Sequence, residues 1–167
     1  MHFNKSSSDK INSILFMIKN ILSIIRIKYF GKMAEVFSKN SYKFNRCLVK
    51  TFCSSIVERS KHYEDAVKIN EAFKQLGYKC EIIKDFTRHK LIKELQKIVS
   101  DPSLLECDGL ILFVISNGYD DSIQCYDGIE VKFEDVINYF TNEKFKNLSG
   151  KPKLIIFNIN QKSELVF

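Results

Sequence analysis

The sequence predicts an α/β layer protein built on a mainly parallel sheet. Two observations carry this. Short apolar runs alternate along the chain with stretches of helical period, the pattern of strand–helix units. One run, LILFVIS at residues 110–116, is apolar without alternation, as a strand covered on both faces must be. With 167 residues, the chain is long enough for one domain with a substantial core.

Each element has a local reason. CLVKTF at residues 47–52 reads as a short apolar strand. From Asp65 onward, Ile69, Ala72, Phe73 and Leu76 recur at helical spacing, and Gly77 stands where a helix C-cap wants a residue without a Cβ. YKCEII at residues 78–83 is a second strand. Thr87 is an N-cap for a helix that gathers Leu91, Ile92, Leu95, Ile98 and Val99 on one face. The run at residues 110–116 is the central strand. Asp127-Gly128 between extended arms signals a hairpin. Residues 133–140 suggest a short helix, and KLIIFNI at residues 153–159 is the last strand.

Charge and composition narrow the function. The net charge is +6, but residues 1–43 hold eight Lys/Arg against Asp9 and Glu35. The remainder is therefore neutral, and a neutral body is a poor nucleic-acid binder, so no nucleic-acid partner is expected. Residues 1–43 read as a basic arm, and 44–167 as the domain. Within the arm, residues 11–30 are apolar but broken by Lys19, Arg26 and Lys28, with no uncharged stretch long enough to cross a bilayer. A basic helix lying weakly on a membrane surface or on a partner is one reading. Met33 as a second start, with a dispensable leader before it, is the other. The five cysteines are an odd number without a CxxC pair and read as small buried thiols, which places the chain in the reducing cytoplasm. With only His2, His62 and His89 beside them, no metal site is expected, and no cofactor is implied.

In a parallel sheet, chemistry gathers at the carboxyl ends of the central strands. Here those ends read SNGYDD (116–121) and NINQK (158–162). Neither contains Cys or His, Asp120 and Asp121 are adjacent and point apart, and Ser116 has no histidine near it in sequence. On residue types alone, both ends read as solvated loops.

The ordered set of short motifs resembles the large-subunit region of the caspases, cysteine proteases that cut after aspartate. Arg59-Ser60 precedes Asp65-Ala66 and Ala72-Phe73-Lys74-Gln75-Leu76-Gly77-Tyr78, similar to the family's Arg-x-Gly-Thr-x-x-Asp and Phe-x-x-Leu-Gly-Phe. Phe113-Val114-Ile115-Ser116-Asn117-Gly118 is similar to its strand ending in Ser-His-Gly, and Tyr126-Asp127-Gly128 to its hairpin. Leu148-Ser149-Gly150-Lys151-Pro152-Lys153-Leu154 is similar to the Leu-x-Gly-Lys-Pro-Lys-Leu that leads to Gln-Ala-Cys-Arg-Gly. The likeness covers residues 44–162 and implies a three-layer α/β caspase-like fold.

The resemblance also implies what is missing. Asn117 stands at the position of the catalytic histidine and Asn160 at that of the nucleophilic cysteine; neither amide can become a thiolate or shuttle a proton near neutral pH. Asn158 stands for the substrate-binding glutamine, and Lys162 for the glycine after the nucleophile. Arg59, a substrate-binding arginine by resemblance, and Gly118, on the oxyanion side, are kept, although Lys61 and His62 occupy the Gly-Thr positions beside Arg59. Ending at Phe167, the sequence is expected to hold the large-subunit half only, without the small subunit that completes the family's groove. Three readings follow. The first is an inactive caspase-like protein that regulates apoptosis or proteolysis by binding an active caspase or its adaptor. The second is a cysteine endopeptidase with an incomplete chain or a displaced nucleophile such as Cys125. The third is a degenerate copy without function.

Overall fold

A computed structural model describes residues 46–54, 61–119 and 121–161. The basic arm 1–43, with its stretch 11–30 and Met33, lies outside the described residues, as do Arg59, Asp120 and Lys162.

The chain runs β1 (Cys47–Cys53), α1 (Lys61–Gln75), β2 (Lys79–Lys84), α2 (Arg88–Ser100), β3 (Gly109–Tyr119), β4 (Ser122–Gln124), β5 (Glu130–Lys132), α3 (Phe133–Ile137) and β6 (Lys153–Gln161), with short 3-10 turns at Pro102–Glu106, Asn138–Phe140 and Lys146–Leu148. Four strands are parallel, in the order β2-β1-β3-β6, and the β4–β5 hairpin adds two antiparallel strands to the free end of β3. The mainly parallel α/β sheet expected from the sequence is therefore present.

Strand alternation separates two cores. Val49 and Cys53 of β1 and Ile111, Phe113 and Ile115 of β3 face α1, where Ala66, Ile69 and Phe73 recur at helical spacing to meet them. Leu48, Phe52, Leu110, Leu112 and Val114 face the other way, onto Leu91, Leu95 and Ile98 of α2 and onto Val136 and Phe145. The result is three layers, helix on sheet on helices. Because both faces of β1 and β3 are covered, residues 47–53 and 109–116 are buried without interruption.

Local signals in the sequence fix the helix ends. Gly77, at φ +85°, closes α1: its N–H donates to the Lys74 carbonyl at 2.9 Å, and Tyr78 N–H donates to the Phe73 carbonyl at 3.2 Å. This pair of bonds satisfies carbonyls that the last turn leaves open. At the start of α2, Thr87 Oγ1 accepts from Lys90 N–H at 3.2 Å. The Asp127 carboxylate accepts from Arg88 N–H at 3.1 Å, which fastens the hairpin to the same helix end. Helix α1 begins at Lys61, four residues ahead of the apolar pattern that starts at Asp65, since its first turn is polar.

Two expectations are corrected. Residues 116–119 and 158–161 are strand, not solvated loops. The polar composition of these segments hid backbone partners distant in sequence: β3 outruns β1 and pairs with β4 on that side, while β6 keeps pairing with β3 up to Gly118↔Gln161.

The Gly-Lys-Pro-Lys segment has a structural task. Gly150 takes φ +73° at the turn, and Lys151 Nζ donates to the Leu105 and Cys107 carbonyls, both at 2.7 Å. Lys153 Nζ donates to the Leu148 carbonyl at 2.8 Å and to Asn142 Oδ1 at 2.9 Å. Both lysines thus bind the entry of β6 to the loops under it. Lys151→Met keeps the aliphatic stem and removes the donors, so it is expected to lower stability by about 1–3 kcal/mol, the range for leaving a buried acceptor without its donor. Urea unfolding of the two proteins measures this, and an unchanged midpoint would mean that solvent replaces the lysine.

Candidate functional site

The β3–β6 register decides what the carboxyl ends of the central strands present. Asn117 is the Cα partner of Asn160, Ile115 of Asn158, and Gly118 of Gln161. Partners in parallel strands project to the same side, with strands about 4.8 Å apart. Alternation from Ile111, Phe113 and Ile115 puts Asn117, Asn158 and Asn160 on the face that carries α1. Asn117 and Asn158 are half-buried and Asn160 is exposed. The structure thus brings together three amides, able to donate and accept hydrogen bonds but unable to supply a nucleophile or take up a proton near neutrality.

Ser116 points to the opposite face, where it is buried and its hydroxyl donates to the Gln124 carbonyl at 2.6 Å. That bond pins the start of the hairpin and occupies the hydroxyl. Gly118 answers to packing. A Cβ on it would lie 2.1 Å from the Ser122 carbonyl oxygen and 2.9 Å from Ile159 Cγ2, so the hairpin closes only over a residue without a side chain. Arg59, given a substrate-binding role by the resemblance, lies outside the described residues.

His62 is the residue that sequence position concealed. It stands in the first turn of α1, far from any strand end in the linear chain, yet its Nδ1 is 2.9 Å from the Ser54 carbonyl oxygen. Ser54 follows β1 directly, and its N–H donates to the Ile115 carbonyl at 3.0 Å. One histidine is therefore held at the carboxyl end of β1, one strand over from the asparagines. The only signal for it was the replacement of Gly-Thr by Lys61-His62.

The cysteines offer that histidine no thiolate. Cys53 is buried, and burial first, with the Asp85 charge second, pushes its thiol up to about 11. Cys125 is fully buried, and burial, followed by the Asp127 charge, pushes its thiol up to about 12, which speaks against it as a displaced nucleophile. Burial likewise raises the Cys47, Cys80 and Cys107 thiols. All five cysteines are free. Among the described residues, no three His, Cys, Asp or Glu side chains are grouped to hold a metal ion.

Comparisons with known proteins meet this geometry. The family model of the caspase domain matches residues 32–164. Caspase-3 of Xenopus laevis is 26% identical over 133 residues, which cover 77% of this chain and 47% of that protein. Caspase-3 of Mesocricetus auratus is 28% identical over 140 residues, covering 78% and 50%. A caspase-8 of Drosophila melanogaster is 29% identical over 92 residues, covering 55% of this chain and 18% of that protein. The chain spans about half the length of the caspase-3 relatives it matches.

Two outcomes follow from the packing of this region. Gly118→Ala forces the hairpin off β3 and is expected to cost at least about 1–3 kcal/mol, the range for overpacking a core, read as a lower denaturation midpoint. Near neutral pH, Ellman's reagent is expected to leave Cys47, Cys53 and Cys125 unmodified in the native chain and to titrate all five thiols after unfolding. Fast modification of native Cys125 would contradict the burial on which that expectation rests.

Proposed function

Because this chain belongs to the caspase family, and because it sets two amides side by side where that family's dyad is expected, we propose that it is a non-proteolytic caspase-like protein that regulates apoptosis or proteolysis by binding an active caspase or its adaptor. The pairing of Asn117 with Asn160 carries the reading. Acyl transfer by a thiol needs a thiolate and a base in reach of each other. An asparagine pair supplies neither, and the five thiols are pushed above the range in which they ionise near neutrality. His62, held by its Nδ1 at the Ser54 carbonyl, stands at the end of β1.

Binding is supported by the sheet's own boundary. Among the described strands, β6 pairs with β3 alone, so no described strand covers its other edge over the nine residues 153–161. The apolar side chains from Leu154 to Phe157 point to the two faces of the sheet, whereas the edge is backbone. It is a row of N–H and C=O groups that a strand from another chain can complete. A related caspase domain, built on the same family's sheet, is the partner we assign to this edge. Free cysteines suit the reducing cytoplasm as the compartment. Among the described residues, no helix is long and apolar enough to cross a membrane.

The purified chain is expected not to cleave peptides after aspartate between about pH 5 and about pH 8, the span over which a histidine changes charge. Asn160→Cys should create one rapidly alkylated thiol, and Asn117→His added to it should make that alkylation depend on pH through the new imidazole. Cleavage by the unaltered chain would overturn the reading. Co-expression with each caspase of the same organism, followed by size exclusion and a peptidase assay, tests the partner. A stable complex with altered activity is expected; a chain that elutes alone and leaves every caspase unchanged would refute it.

A further inference from the structure

On the far side of the sheet from the asparagines, α2 and α3 are separated by a groove of about 400 Å³. Its floor is apolar: Leu91 and Leu95 of α2, Val131 of β5 and Val136 of α3, with half-buried Ile92 and Tyr139 on its sides. Arg88 and Lys144, both exposed, stand on its rim, and neither forms an ion pair with a described acid. Asp135 is the only acid among the described lining residues.

The charge around this groove is not that of the body. Residues 44–167 balance to zero, yet α2 carries Arg88, Lys90, Lys93 and Lys97 against Glu94 alone. Lys97 stands 3.8 Å from Glu94, and Lys90 Nζ is taken up by the Lys84 carbonyl at 2.7 Å. Arg88, Lys93 and Lys144 keep their charge unpaired among the described acids. Across the slot, α2 is the basic wall and α3, with Glu134 and Asp135, the acidic one; among the lining residues, Arg88 and Lys144 outnumber Asp135 over a surface that also gains from losing water.

We propose that this groove docks an acidic peptide segment, with a leucine-like side chain on the apolar floor and flanking carboxylates on Arg88 and Lys144. An isolated basic helix face would serve a membrane or a nucleic acid equally. The apolar floor favours a peptide, because neither a phosphate backbone nor a lipid headgroup gains from burying against Leu91 and Val136. The site is separate from the β6 edge and does not depend on the absence of proteolysis.

Fluorescence anisotropy with the full chain tests it, using a fluorescein-labelled peptide of glutamates around a central Leu-Leu. Binding is expected, weakening as salt rises. It should fall about tenfold when the leucines are replaced by serine, and by a similar factor for Arg88→Glu with Lys144→Glu or for Ile92→Ser. Lys74→Glu, a single charge reversal on exposed α1 surface, should leave it unchanged, and thermal melting of each variant separates lost docking from lost fold. Equal affinity for the serine peptide, or binding unaffected by the Arg88 and Lys144 changes, would overturn the proposal. So would capture of phosphatidylserine vesicles or poly-U RNA, but not the peptide, through the same two cations.

Discussion

Strand β3 lies at the centre of the sheet, and every backbone group along its buried length must find a partner there. Residues 110–115 have no solvent to fall back on, each being fully buried. Parallel ladders to β1 and β6 supply the bonds, and where β1 ends at Cys53 the chain turns back as β4 to supply the rest. This demand sets the β3–β6 register, and the register places Asn117 beside Asn160. A slip of one residue would turn the apolar side chains of β6 to the wrong faces, so the two amides are neighbours because Leu154 and Ile156 must face α1 while Ile155 and Phe157 must face α2. Phe157 gains further hold by stacking on Phe133 at 4.3 Å.

What the sequence disclosed was local chemistry. Thr87, Gly77 and Asp127-Gly128 each announce a cap or a turn through a mechanism confined to a few residues, and each stands in the role its residue type suggests. The apolar runs likewise announced the four parallel strands. What stayed hidden was set by partners distant in the chain. Asn117 and Asn160 look like loop residues until β6 is laid against β3. Lys151 and Lys153 look like solvated charges until the loop carbonyls at Leu105, Cys107 and Leu148 come round to meet them. The assignment of Asn117 and Asn160 to the family's dyad positions comes from the resemblance alone, because no property of an asparagine marks it as standing in for a histidine or a cysteine.

The same packing that builds the fold silences its thiols. Cysteine is small and apolar enough to fill strand positions that face a helix, as Cys47 and Cys53 do against α1, or a turn that faces the second core, as Cys125 does. Burial of this kind stabilises the neutral thiol and raises the pH at which it ionises. His62 meets the Ser54 carbonyl with Nδ1, so the ring is held at the strand end as a hydrogen-bonding group.

The two faces of the sheet consequently diverge in what they offer another molecule. On the α1 face, the strand ends present uncharged amides, which can donate and accept hydrogen bonds. The α2 face keeps unpaired cations over an apolar floor, a combination that costs stability when left uncovered and gains most from a partner that is both acidic and apolar. Between them, the edge of β6 that no described strand covers offers backbone pairing that neither face determines. The rim cations share no residue with the other two surfaces, whereas Asn160 belongs to β6 and its backbone is part of that edge. Loss of the rim cations would therefore be felt apart from the other two, whereas a change in the backbone of β6 would reach both the asparagine pair and the edge.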